Sequence, residues 1–105
     1  MVIELAKFQL APGKTGAFLN AIDEAAPLLQ GAPGYRGHSI GLGVEDPGTA
    51  TLIVAWRSHA DHVARFEPSE AHQALMDRLD GLYEGDVEVV HVDAEVPQPS
   101  VTRHA

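Results

Sequence analysis

Residues 52–82 read LIVAWRSHADHVARFEPSEAHQALMDRLDGL, and the fold turns on them. Leu52, Ile53, Val54 and Ala55 form a continuous apolar run, as in a strand covered on both faces. The run ends at Trp56, the single tryptophan, whose large ring and one N–H donor suit the mouth of a cavity. Ser58 can cap a short helix, with Asp61 at capping-box spacing and Val63 and Phe66 as its apolar residues. Pro68 cannot extend that helix, and Ser69 is a second N-cap with Glu70 in the first turn. His72, Leu75, Met76, Leu79 and Leu82 then recur at helical spacing as one apolar stripe. The stretch therefore predicts a strand, a short helix and a longer helix, which together wall any pocket the chain encloses.

Outward from it, Val2 to Leu10 predicts a strand with Ile3 and Leu5 on one side and Val2, Ala6, Phe8 and Leu10 on the other. Thr15 to Gln30 predicts a helix with a stripe of Phe18, Ile22, Ala25, Ala26 and Leu29, kinked at Pro27 and ended by Gly31. Tyr35 to Val44 predicts a second strand, bare on one side at Gly37, Gly41 and Gly43. Glu45-Asp46-Pro47-Gly48 then turns it into the third, Thr49 to Arg57. Gly81 and Gly85 bracket the end of the long helix, and Asp86 to Ala94 predicts a fourth strand. Val87, Val89 and His91 share one of its sides; Glu88, Val90 and Val92 share the other.

The order β-α-β-β-α-β is the ferredoxin-like pattern, an α+β fold with a four-stranded antiparallel sheet and both helices on one face. The domain spans residues 1–94, and 95–105, with two prolines and no periodicity, read as a tail. The sheet face away from the helices would carry Ile3, Leu5, Ile53 and Ala55. An apolar sheet face has to be covered, and a two-fold homodimer packed through the sheet faces covers it with one symmetric contact.

A chain of 105 residues with 45% hydrophobic content builds one core. No apolar run is long enough to span a membrane, and MVIELAKFQL lacks the basic-then-apolar layout of a signal peptide. With no cysteine there is no disulfide framework and no thiolate ligand or nucleophile, and a cytoplasmic location is the simplest expectation. A formal net charge of −8 with scattered basic residues opposes nucleic acid and anionic membrane as partners.

Six histidines raise the question of metal. His59 and His62 are three apart on the short, exposed helix, but a third ligand and a HExxH pattern are missing, so they read as structural or surface residues and no metal site is expected. His72 lies on the apolar stripe. It reads either as a core histidine or as a hydrogen-bond donor or proton shuttle at a pocket floor. His38 and His91, central in strands, carry the same pair of readings. Trp56 and Phe66 read as core or as cavity lining, and Tyr35 as core or rim. No nucleophile elbow surrounds any serine, and Gly41-Leu42-Gly43 precedes no helix, so it is not a dinucleotide loop.

Four segments resemble one family: Pro33-Gly34-Tyr35-Arg36-Gly37, Trp56 ending a strand, Phe66 to Ser69 between the helices, and Val89 to Val92. Together, over residues 2–94, they are similar to the antibiotic biosynthesis monooxygenase superfamily of dimeric α/β-barrel proteins. The resemblance implies a homodimer and, for some members, oxygenation of phenolic polyketide intermediates without metal or flavin, hence no cofactor. The haem-degrading branch carries Trp where Phe66 stands, an axial His where Met76 stands and an Asn near Ala6, so this chain departs from it at all three.

The expectation is a cofactor-independent monooxygenase acting on a small aromatic or polyketide-like molecule. Its pocket would lie between sheet and helices, with His72 and His38 as catalytic candidates and Trp56, Phe66, Met76 and Tyr35 as substrate-binding candidates. The alternatives are a non-catalytic small-molecule-binding or stress-associated dimer of the same fold, and a lactone isomerase-type enzyme, since fold alone does not choose among them.

Overall fold

A computed structural model describes residues 1–95. The elements are β1 (Val2–Leu10), α1 (Thr15–Gln30), β2 (Tyr35–Leu42), β3 (Thr49–Trp56), a π-helical stretch (Asp61–Phe66), α2 (Glu70–Leu79) and β4 (Tyr83–Asp93). The strands form one antiparallel sheet in the order β2-β3-β1-β4. This is the ferredoxin-like α+β fold, with an open sheet. No helix among the described residues is long and apolar enough to cross a membrane. The expected tail lies outside the described residues from 96 onward.

Strand alternation separates the two faces. Ala6 pairs with Leu52 and Phe8 with Ala50, which aims these side chains at the helices. There they meet Phe18, Ile22, Ala25 and Leu29 of α1 and Leu75 and Leu79 of α2 in one buried core. Ile3 pairs with Ala55 and Val92, and Leu5 with Ile53 and Val90, which puts all six on the open face. There Val90 is 48% and Val92 45% exposed, while Ile3, Leu5, Ile53 and Ala55 are half-buried.

Three expectations are revised. β2 stops at Leu42, because Gly43 already pairs across the turn to the Thr49 carbonyl and Val44 stands in solvent. β4 starts at Tyr83, so Gly85 lies inside it and not at a helix end; its φ of +69° accompanies the register shift between Lys7 and Gln9. The short helix is not an exposed α-turn. It opens as the capping box predicts, with Ser58 Oγ accepting from the Asp61 N–H at 3.2 Å. It then widens, and the Glu67 N–H donates to the His62 carbonyl in an i→i+5 bond. The widened turn sends His62 and Phe66 inward and leaves Val63 exposed, the reverse of the predicted placement of His62 and Val63.

Asp61 holds that turn in place. Arg57 donates to both its oxygens, at 2.9 and 2.8 Å, and Ser58 Oγ donates at 2.9 Å. These hydrogen bonds, the Arg57 pair first, keep the Asp61 carboxyl below its usual range. The buried carboxylate lies against the backbone of Gly34, whose carbonyl accepts from the Arg57 N–H at 2.8 Å. The start of β2, the end of β3 and the π-helical stretch are thereby fixed to one another.

Candidate functional site

A cavity of about 200 Å³ opens between the sheet and the helices. Its walls are apolar: Ala6, Phe8 and Leu52 from the sheet, Leu29 from α1, Leu75 and Met76 from α2, and Phe66. Four ionisable side chains also line it: Glu4, His62, Glu67 and His72.

Glu4 is at the centre of this polar group. It sits on the helix-facing side of β1, two residues before Ala6, and is only 7% exposed. Trp56 Nε1–H donates to Glu4 Oε1 at 2.9 Å. His62 Nε2 stands 3.3 Å from the same oxygen, longer than a formed hydrogen bond. The His62 ring lies nearly parallel to the Trp56 indole, centroids 5.2 Å apart. On its far side, His62 Nδ1 is 2.8 Å from His91 Nε2. His72 meets the Phe66 ring edge-on at 5.4 Å.

Burial decides the protonation states. Desolvation pushes the Glu4 carboxyl up to about 7, with the Trp56 hydrogen bond opposing it and the charge of Glu67 adding to it. Burial pushes His62 down to about 4, helped by the neighbouring imidazoles of His91, His72 and His59. His91 is also lowered, by burial first and then by His59, against an opposing pull from Glu67. Near neutral pH the cavity thus holds a carboxyl that gains and loses a proton easily beside an imidazole kept neutral. That is the equipment for proton abstraction from a bound molecule.

Of the residues singled out in the sequence, Phe66, His72 and Met76 lie on the cavity wall. Trp56 does not stand at a mouth: it is fully buried and acts through its N–H on Glu4. Tyr35 and His38 are paired with each other, Tyr35 Oη to His38 Nδ1 at 2.6 Å, and neither lines the cavity. Among the described residues no cluster of three or more His, Cys, Asp or Glu side chains is arranged to hold a metal ion.

Sequence reasoning missed Glu4, and the signal for it was present: positions 2, 4, 6, 8 and 10 share one side of β1, and Glu4 is the one charged member of that set. A charge placed among inward-facing apolar residues is the informative exception.

A family model described as "Antibiotic biosynthesis monooxygenase" matches residues 1–78. The uncharacterized protein YczJ of Bacillus subtilis (strain 168) is 33% identical over 82 residues, covering 75% of this chain and 86% of the relative. A crystal structure from Bordetella bronchiseptica, assigned to the antibiotic biosynthesis monooxygenases, superposes with a TM-score of 0.86 at 24% identity, over 90% of this chain and 97% of that one. SnoaB, a cofactor-independent oxygenase from Streptomyces nogalater, superposes with a TM-score of 0.76 at 16% identity, over 94% of this chain and 97% of its own. At these identities the structural matches establish the fold, and the chemistry has to be argued from the site.

Proposed function

The chain belongs to the antibiotic biosynthesis monooxygenase family, and from that premise we propose that it is a cofactor-independent oxygenase of small hydroxylated aromatic compounds. The observation that carries this reading is the apolar cavity with the Glu4 carboxyl in its wall, held by Trp56 and backed by His62. An ionised Glu4 takes the phenolic proton of a bound substrate, and the resulting delocalised anion is electron-rich enough to reduce oxygen directly. One oxygen atom enters the ring carbon para to the hydroxyl as a quinone carbonyl; the other leaves as water with the two hydrogens the substrate gives up. SnoaB, described as a cofactor-independent oxygenase, has the same fold.

Cavity size sets the substrate class. An apolar cavity of about 150 Å³ accommodates benzene, so the roughly 200 Å³ here suits one ring or two fused rings. His72, on the cavity wall, orients the substrate hydroxyl. The direct test is oxygen uptake with 1-naphthol and related phenols, with quinone formed in equal amount. His72→Ala is expected to raise KM by about three- to tenfold, the worth of one hydrogen bond, with kcat little changed. Equal KM values would take His72 out of the binding scheme. Turnover of a lactone without oxygen consumption would assign the same carboxyl to an isomerase.

The open sheet face fits a second copy of this chain. Ile3, Leu5, Ile53, Ala55, Val90 and Val92 form a contiguous apolar surface across β3, β1 and β4. A two-fold contact would cover it and leave the helix side free for substrate. Sedimentation should show a dimer for the wild type and a monomer for Leu5→Glu, which sets like charges against each other in the contact. A wild-type monomer at micromolar concentration would contradict the dimer.

A further inference from the structure

We propose that Glu4, His62 and His91 form a proton relay that discharges the cavity carboxyl to solvent through a tautomer switch of His62, with His91 as the exit residue. The relay rests on the reading of Glu4 as the base.

The geometry is that of a wire with defined ends. The three residues come from β1, the π-helical stretch and β4, and Glu4 and His91 are register partners across the β1–β4 ladder. The two ring nitrogens of His62 face different partners, Nε2 toward Glu4 at 3.3 Å and Nδ1 toward His91 Nε2 at 2.8 Å. Stacking on Trp56 and burial hold the ring in that plane. His91 is half-buried, and beyond it exposed His59 stands edge-on at 4.6 Å.

A neutral imidazole carries one proton, so the state of Glu4 dictates the whole chain. When Glu4 is protonated on Oε1, a few tenths of an ångström of approach closes the 3.3 Å gap and it donates to His62 Nε2. His62 then carries its proton on Nδ1 and donates to His91 Nε2, and His91 carries its proton on Nδ1. Discharge breaks the Glu4 O–H and His62 Nδ1–H bonds and forms His62 Nε2–H and His91 Nε2–H. His91 releases its Nδ1 proton to water. Glu4 ends ionised, both histidines end neutral as Nε2–H tautomers, and one proton has left. A proton taken up on the other Glu4 oxygen reaches the Oε1 position by rotation about Cγ–Cδ.

The surroundings favour passing the proton on over storing it. Glu4 is faced by His62 and Glu67 from the π-helical stretch and its end, by Trp56 from β3 and by His91 from β4; His72 of α2 adds a further imidazole near His62. Burial and three neighbouring imidazoles make an imidazolium at His62 costly, so it accepts one proton only as it gives up another. With a substrate seated in an apolar cavity, the path lets Glu4 send the phenolic proton out before oxygen reacts; run in reverse, it brings back the proton that the departing water takes and returns both rings to their Nδ1–H tautomers.

The test reads the substrate-free protein. Ring-nitrogen NMR of histidine-labelled protein, from about pH 5 to 9, should show His62 as the Nδ1–H tautomer at the acid end and the Nε2–H tautomer at the alkaline end. The switch should share its midpoint with the Glu4 carboxyl signal. One tautomer throughout, or an imidazolium while Glu4 titrates, would overturn the relay and leave Glu4 standing as a base. In oxygen uptake, His91→Phe should lower kcat by about tenfold with KM unchanged, and added imidazole should restore it. A loss that imidazole does not restore, or no loss at all, would overturn the exit role. Absence of oxygen uptake in the wild type would remove the proposed chemistry but not the tautomer switch.

Discussion

Glu4→Gln is expected to make the protein more stable at pH 8 and to lower its turnover by about a hundredfold or more, the range for loss of a general base. The stability gain follows from the direction of the shift. The folded protein holds the Glu4 proton up to about pH 7, whereas an ordinary glutamate releases it near 4.5. Between those values the folded state binds the proton and the unfolded state does not, so stability falls as pH rises through the window. At about 1.4 kcal/mol per unit, the loss by pH 8 is on the order of 3 kcal/mol. Glutamine still accepts from Trp56 and never ionises, so it removes that loss.

His62 acts in the opposite sense. It stays neutral in the folded state down to about pH 4, against 6.5 for an ordinary histidine, so its contribution is lost as pH falls through that interval. The two slopes overlap and offset each other in the wild type. In Glu4→Gln only the histidine slope remains, and stability should climb steadily from about pH 4 to 6.5. Urea unfolding at pH 5 and pH 8 reads both effects. A variant less stable than the wild type at pH 8 would show that the ionised carboxyl is not under strain. A gain in stability from losing a side chain marks a group kept for function.

Gly34→Ala is expected to cost about 3 kcal/mol, or roughly 12–24 °C in Tm for a domain of this size. Gly34 has φ +84°, a conformation that side chains other than glycine rarely adopt. A Cβ there would also lie 2.5 Å from Asp61 Cγ and 2.7 Å from its Cβ. Asp61 cannot retreat without breaking the paired hydrogen bonds from Arg57. The damage should reach the cavity, because Asp61 begins the stretch that delivers His62 and Phe66. In Asp61→Gly, which removes both contacting carbons, the same glycine substitution should cost less, since only the backbone strain remains. A Tm change below about 4 °C for Gly34→Ala alone would contradict the close packing.

Much of the fold was legible because its determinants are local. The apolar periods of β1 and α1, the turn at Glu45 to Gly48, the Pro68-Ser69 break and the stripe through Leu75 and Leu79 each report a nearby backbone geometry. What stayed hidden depends on distant partners or on irregular backbone. The inward turn of His62 requires a widened helical turn, which α-periodicity does not encode. Its approach to His91 needs the β1–β4 register, set by residues 73 to 91 positions apart in the chain. Asp61 was readable as the third position of the Ser58 capping box, but its packing on Gly34 depends on how β2 enters the sheet. Trp56 was correctly placed at a strand end, yet its alternation puts it under the helices, where it supports Glu4 instead of lining a mouth.

The most direct measurement is a carbon-13 titration of the Glu4 carboxyl in the substrate-free protein. A midpoint near 7 is the expected result and would establish a base at the wall of the apolar cavity that is ready to take a proton. A midpoint near 4.5, the value of an ordinary glutamate, would leave the cavity without its base and would contradict the account.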